Sequence, residues 1–137
     1  MKKKYRLLED DTITVSGRTL HRIEALRDFA DVRKGDKGGY IESEDNLSHE
    51  GKCWVFGNVL VFGNAQVYGN ACVFGSADVC GNAKVYGDAW VYGYTLVCDH
   101  ARVSGTARVL GNACVLGNAK IRNGIITSKV IENEQNE

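Results

Sequence analysis

From Gly51 to Arg122 the chain reads GKCWVF GNVLVF GNAQVY GNACVF GSADVC GNAKVY GDAWVY GYTLVC DHARVS GTARVL GNACVL GNAKIR. These are twelve hexads, with Gly in the first position of eleven and Asp99 in the other. The fifth position is β-branched in all twelve, and the third is Ala in nine, with Cys53, Val59 and Thr95 as the exceptions. In an extended chain alternate residues face opposite sides, so the third and fifth positions line one face and the fourth lies on the other. Gly-Asn at the start of a hexad supplies a bend, because these residues best tolerate positive φ. A helix is excluded: six is not a helical period, and a glycine every six residues costs about 1 kcal/mol each. Repeats this short cannot bury their own apolar face and must stack, which predicts a solenoid.

Working outward, the composition agrees. The 137 residues contain 16 glycines and no proline, although an average chain of this size carries roughly seven prolines. Stacked strands use nearly every backbone N–H, which explains the missing proline. With 17 basic and 17 acidic side chains the net charge is zero, which argues against general nucleic-acid binding or attachment to a membrane surface. No apolar run approaches the roughly 18 residues that span a bilayer, and Met1 to Asp11 has no apolar segment of signal-peptide length. Five cysteines without an export signal predict free thiols in a reducing cytoplasm, that of a host if a phage encodes the chain.

Residues 1–50 differ in kind, carrying ten basic and eleven acidic residues against six and three in 51–122. Thr12 to Val15, the pair Ser16-Gly17 and Arg18 to Ile23 predict a hairpin. Ala25 to Phe29 fits a helical turn or a strand, Arg33 to Gly39 a loop feeding Tyr40-Ile41, and Asp45 to Glu50 a degenerate first hexad. An open solenoid end is a row of unpaired backbone groups, so this segment is expected to act as a cap. Residues 123–137 offer Ile125, Ile126, Val130 and Ile131 for a final rung, followed by an acidic end expected to be disordered.

The V-x-G-N-A-x pattern resembles the hexapeptide repeat of left-handed parallel β-helices, in which three hexads form one triangular coil. That resemblance implies an all-β fold, with the twelve hexads making about four coils. A more specific likeness runs through Asp28-Phe29, Asp31-Val32, Gly35, Gly38-Gly39-Tyr40-Ile41, Asn46-Leu47-Ser48, Gly51 and Cys53-Trp54-Val55. These residues are similar to the entry motif of small hexapeptide-repeat proteins of bacteria, prophages and phages. Some of those are labelled transferase-like or polymer-forming from fold alone, so the likeness speaks to fold and leaves the chemistry open.

With three hexads per coil, residues 18 apart stack. Trp54, Cys72, Trp90 and Arg108, flanked by Phe56, Phe74, Tyr92 and Leu110, make one face. It is too apolar for water and predicts a subunit interface, most simply in a homotrimer with parallel axes. A second face carries Leu60, Asp78, Leu96 and Cys114, flanked by Phe62, Cys80, Cys98 and Leu116. The third carries Gln66, Lys84, Arg102 and Lys120, flanked by Tyr68, Tyr86, Ser104 and Arg122. It reads either as a solvated ladder or as a ligand site, in which Lys84, Arg102, Lys120 and Arg122 hold an anion and Tyr68 and Tyr86 offer stacking surfaces.

His100 stands at the corner where Asp99-His100 replaces Gly-Asn, and it is the residue to consider as a catalytic base. Hexapeptide acyltransferases use such a histidine, but place it in a loop or extended coil that this chain lacks. Cys80 and Cys98 fall one coil apart and read as stacked thiols. No zinc-ligand spacing or phosphate-binding glycine loop occurs, and no cofactor is expected. The preferred expectation is therefore a non-catalytic, oligomeric binding protein, plausibly from a phage or prophage, that sequesters a small anionic, nucleotide-like ligand or a host protein, one use being to counter host defence. An acyl- or nucleotidyl-type transferase and a polymer-forming scaffold are the alternatives.

Overall fold

A computed structural model describes residues 3–133 and 135–136. The chain opens with an antiparallel meander of β1 (Tyr5–Val15), β2 (Arg18–Ala25) and β3 (Lys37–Ile41). Ser16 and Gly17, both at positive φ, make the β1–β2 turn as expected. Ala25 closes β2, and Leu26 to Asp28 form neither helix nor strand. The degenerate hexad is realised as a single 3₁₀ turn, Glu44–Asn46, followed by Leu47 in a bridge to Val67.

From Trp54 onward, strands of two or three residues alternate with corners and distribute over three parallel sheets. The first contains Trp54–Val55, Cys72–Val73, Trp90–Val91, Arg108–Leu110 and Ile125–Thr127. In the second, β3 is followed by Leu60–Val61, Asp78–Val79, Leu96–Val97, Cys114–Leu116 and Val130–Glu132. Gln66–Val67, Lys84–Val85, Arg102–Val103, Lys120–Ile121 and Gln135–Asn136 form the third. The protein is thus a three-sided β-solenoid of about five turns rather than four. Its fifth turn is tighter: strands begin at Lys120, Ile125, Val130 and Gln135, five residues apart where the earlier spacing is six. The acidic end expected to be disordered falls partly outside the described residues, and Gln135–Asn136 within it pairs with Lys120–Ile121.

The core is a column of valines and alanines stacked coil on coil, with Val55, Val73, Val91 and Val109 fully buried along one side. Every hexad glycine has φ between 58° and 77°, and Asp99 adopts 58° at the corner that lacks one. The Asp99 carboxylate accepts the Gly117 N–H of the next coil at 2.9 Å, which helps offset the cost of a side chain in that conformation. Its neighbour below must stay small, because a Cβ on Gly81 would lie 2.9 Å from the Asp99 nitrogen.

The lower end is closed corner by corner. In the higher coils a corner carbonyl accepts the backbone N–H of the coil beneath, as when Asn64 donates to Gly81 and Asn70 to Gly87. Among the described residues the corners of the first coil have no backbone donor beneath them, and cap side chains take that place. Lys4 Nζ reaches the Gly51 carbonyl at 3.4 Å and that of Cys53 at 2.7 Å. Arg22 reaches Gly57 at 3.5 Å, and Asn46 Nδ2 reaches Gly63 at 3.2 Å and Ala65 at 2.8 Å. A buried carbonyl left without a donor costs about 1–3 kcal/mol, so these three residues are structural.

Candidate functional site

The register of the third sheet brings Lys84, Arg102 and Lys120 into one column, with Lys84 opposite Arg102 and Arg102 opposite Lys120. Each is the fourth residue of its hexad, so the inward Ala and Val on either side turn it outward. None of the three side chains has an ion pair or hydrogen bond with the described residues, where all five ion pairs lie between residues 3 and 49. Three cations about 4.8 Å apart per coil repel one another, and an anion would relieve that repulsion. Arg102 and Lys120 line a cavity of about 440 Å³ with His100, Asn118 and Gln135. Arg122 is exposed two residues beyond Lys120 and does not line this cavity.

Beside Lys84, Tyr86 stacks on Tyr68 of the coil beneath, with their centroids 4.8 Å apart and their planes 1° from parallel. Partial burial and the neighbouring Tyr86 hydroxyl raise the Tyr68 pKa, while the Arg102 guanidinium acts to lower it. The tyrosine stack thus lies at the level of Gln66 and Lys84 on the third sheet, and the His100 cavity lies higher, at Arg102 and Lys120.

His100 is exposed, and its ring has no hydrogen-bond partner among the described residues. The adjacent Asp99 carboxylate is committed to the Gly117 N–H and does not orient the imidazole. A general base ordinarily needs such an orienting partner. Among the described residues, no group of His, Cys, Asp and Glu is arranged to hold a metal ion.

The aromatic face divides in two. Trp54, expected at a subunit interface, is instead 1% exposed beneath the cap, with the rings of Phe29 and Tyr5 edge-on at 5.2 and 6.1 Å. Trp90 is 42% exposed and Arg108 lies over its ring at 4.2 Å. Phe74 stacks on Tyr92 at 4.7 Å and meets Phe56 edge-on at 6.2 Å. Phe56, Cys72, Phe74 and Trp90 line an apolar recess of about 300 Å³, while Leu110 lies higher on the same sheet, half-buried and paired with Thr127.

On the second face the Cys80 and Cys98 sulfurs are 2.9 Å apart as free thiols. Burial, then the hydrogen bond with Cys98, pushes the Cys80 thiol up to about 12. Cys53 faces inward and touches Lys4 Nζ at 3.3 Å, while Cys72 and Cys114 are half-buried on the outside. The composition gave no sign of Lys4, which is fully buried, or of a second surface of cavities at the base of the third face. The larger, about 470 Å³, is lined by Arg18, Glu42, Ser43, Asp45, Asn64 and Gln66 among others, and the smaller, about 220 Å³, by Asp45, Ser48, Gln66, Val67 and Tyr68.

The class these features define is a hexapeptide-repeat β-solenoid with a β-meander cap and a basic, tyrosine-bearing side. A family model described as "YdcK Beta solenoid repeat" matches residues 65–81, about one coil. The chain is similar to an Escherichia coli (strain K12) protein named "Uncharacterized acetyltransferase YdcK", at 38% identity over 61 residues. That match covers 39% of this chain and 19% of the relative's length.

Proposed function

We propose that this protein is a non-catalytic binding protein that takes a small phosphate-bearing, nucleotide-like ligand along Lys84, Arg102 and Lys120. The observation that carries this reading is the column of three outward cations with no acidic or hydrogen-bonding partner among the described residues. The adjoining tyrosine stack supplies a surface for a base, and the uninterrupted hexads provide no loop to build a cleft for turnover. In its most concrete form the protein is a phage or prophage product that withdraws a nucleotide signal from its host. Calorimetric titration with inorganic pyrophosphate and with mono- and cyclic nucleotides tests it. Binding at micromolar affinity that falls at least tenfold in Lys84→Glu or Arg102→Glu is expected, and absence of binding by every one of these anions removes the reading.

The protein acts, in this proposal, as a homo-oligomer joined through the apolar recess beside Trp90, with a homotrimer the simplest arrangement. Light scattering coupled to gel filtration is expected to give a mass that is a multiple of 15.0 kDa.

A transferase reading is favoured by one observation: His100 lines the same cavity as Arg102 and Lys120, so a base there would face a bound anion. The relative's printed name points the same way. The lack of an orienting partner for the imidazole weighs against it. An acetyl-CoA turnover screen decides between the two, since only an enzyme loses activity on His100→Ala.

A further inference from the structure

The tyrosine ladder on the third face has a missing member. Tyr86 lies over Tyr68 with parallel rings, and the next position below is set by the bridge between Leu47 and Val67. That bridge, with the Ser48 N–H donating to the Val67 carbonyl at 3.0 Å, puts Ser48 directly beneath Tyr68. A serine is far smaller than a tyrosine, and the space left is the cavity of about 220 Å³ bounded by Tyr68, Val67, Gln66, Ser48 and Asp45. Its roof is therefore the free face of an aromatic ring already held in place by a second one.

The rim of the gap carries one charged group, the Asp45 carboxylate. The Asp45 carboxylate has no hydrogen bond or ion pair among the described residues, and neither has the Gln66 amide. The Ser48 hydroxyl oxygen accepts the Glu50 N–H at 3.0 Å, which leaves its O–H free to donate. An ionised carboxylate only accepts, and it is best matched by two adjacent N–H groups on one planar edge. Among the common nucleobases guanine offers that edge, through N1–H and the 2-amino group. Adenine and cytosine place a ring-nitrogen lone pair beside their amine, which would face the carboxylate unfavourably.

We propose that this gap is a base slot selective for guanine, in which the ring continues the Tyr86–Tyr68 stack and its donor edge pairs with Asp45. This rests on the anion-binding reading for the other half of the ligand. Lys84 stacks one coil above Gln66, so a phosphate on Lys84 lies about two coils, roughly 10 Å, above a base at the level of Ser48. A guanine mononucleotide spans that distance in an extended conformation.

Titrations with GMP, AMP, guanosine and inorganic pyrophosphate separate the two halves. GMP is expected to bind at least tenfold more tightly than AMP, and Asp45→Asn to abolish that preference while leaving pyrophosphate affinity unchanged. Ser48→Phe fills the gap with a ring and is expected to weaken GMP, not pyrophosphate, by tenfold or more; circular dichroism melts of both variants check that they fold. Equal affinities for GMP and AMP, or a GMP preference that survives in folded Asp45→Asn, overturn the slot, and retained pyrophosphate binding then leaves the anion face standing. Guanosine binding without pyrophosphate binding supports the slot and removes the anion face. No binding of any of the four removes both.

Discussion

The cap and the third face of the solenoid use the same kinds of side chain to opposite ends. In the cap several cations are committed inward or to acidic partners: Lys4 and Arg22 donate to corner carbonyls, Arg22 also pairs with Asp11 at 2.8 Å, and Arg18 pairs with Glu42 at 2.9 Å. One coil and more above, Lys84, Arg102 and Lys120 project outward with no such commitments. A cation tied to backbone carbonyls is structural, whereas the outward column is where the proposed ligand would bind. Removing Lys4 is therefore expected to destabilise the fold, and removing Lys84 to leave it intact.

The sharpest test of that contrast is the pair Lys4→Met and Lys84→Met. Methionine keeps most of the stem's packing but leaves the Cys53 and Gly51 carbonyls without donors in a buried place. Lys4→Met is expected to lose about 3 kcal/mol of unfolding free energy, and Lys84→Met to stay within about 0.5 kcal/mol of the parent. Urea denaturation followed by circular dichroism measures both; equal losses would mean that Lys4 is no more structural than Lys84.

Asn46 comes next. Its Oδ1 accepts the Glu42 and Ser43 N–H groups at 3.0 and 2.9 Å while its Nδ2 closes the Gly63 corner, so one amide serves four backbone groups. Asn46→Asp keeps the acceptor and replaces the donor with a buried charge. A loss of about 2 kcal/mol is expected by the same denaturation experiment, and a neutral result would mean that the corners need no donors.

The repeat was legible in the sequence because every step of its physics is local. A glycine at positive φ every six residues and a valine two before the next corner specify strand, bend and inward face without reference to the rest of the chain. The basic ladder followed, since a period of 18 places Lys84, Arg102 and Lys120 in register. The fifth turn was harder to see because its strands fall five residues apart and its corners at Ser128 and Asn133 take positive φ without a glycine, unlike that at Gly124. Trp54 was misplaced for a different reason: it stands in the aromatic ladder, but its cover comes from Tyr5 and Phe29, which meet it only once the cap has folded back. The gap beneath Tyr68 was hidden likewise, because Leu47 pairs with Val67 at a spacing of 20, not 18.

A smaller effect is expected on the apolar recess. Trp90→Ala removes its one strongly exposed aromatic and also the ring beneath Arg108. The monomer should lose only about 1 kcal/mol, because the ring is partly in water already. Association through this face should weaken by tenfold or more, read as a shift toward 15.0 kDa on dilution in light scattering. An unchanged mass in folded Trp90→Ala would count against the proposed contact through this recess.

The smallest effect concerns Asp78 on the second face. Asp78 is half-buried between Leu60 and Leu96, with no ion pair or hydrogen bond among the described residues, and burial raises its pKa. A carboxyl whose folded pKa lies above its unfolded value favours the folded state most when protonated. Stability therefore falls as pH rises from about 4 through the raised value, and the charge remains a cost at neutral pH. Asp78→Asn removes the charge and keeps the shape. It is expected to raise the melting temperature by about 1–3 °C at pH 7, a modest shift because solvent still screens half the group. The difference should shrink as pH is lowered toward 4. Melting curves between pH 4 and pH 8 check the sign, and a variant that is less stable at pH 7 would mean that the Asp78 carboxylate has a stabilising partner.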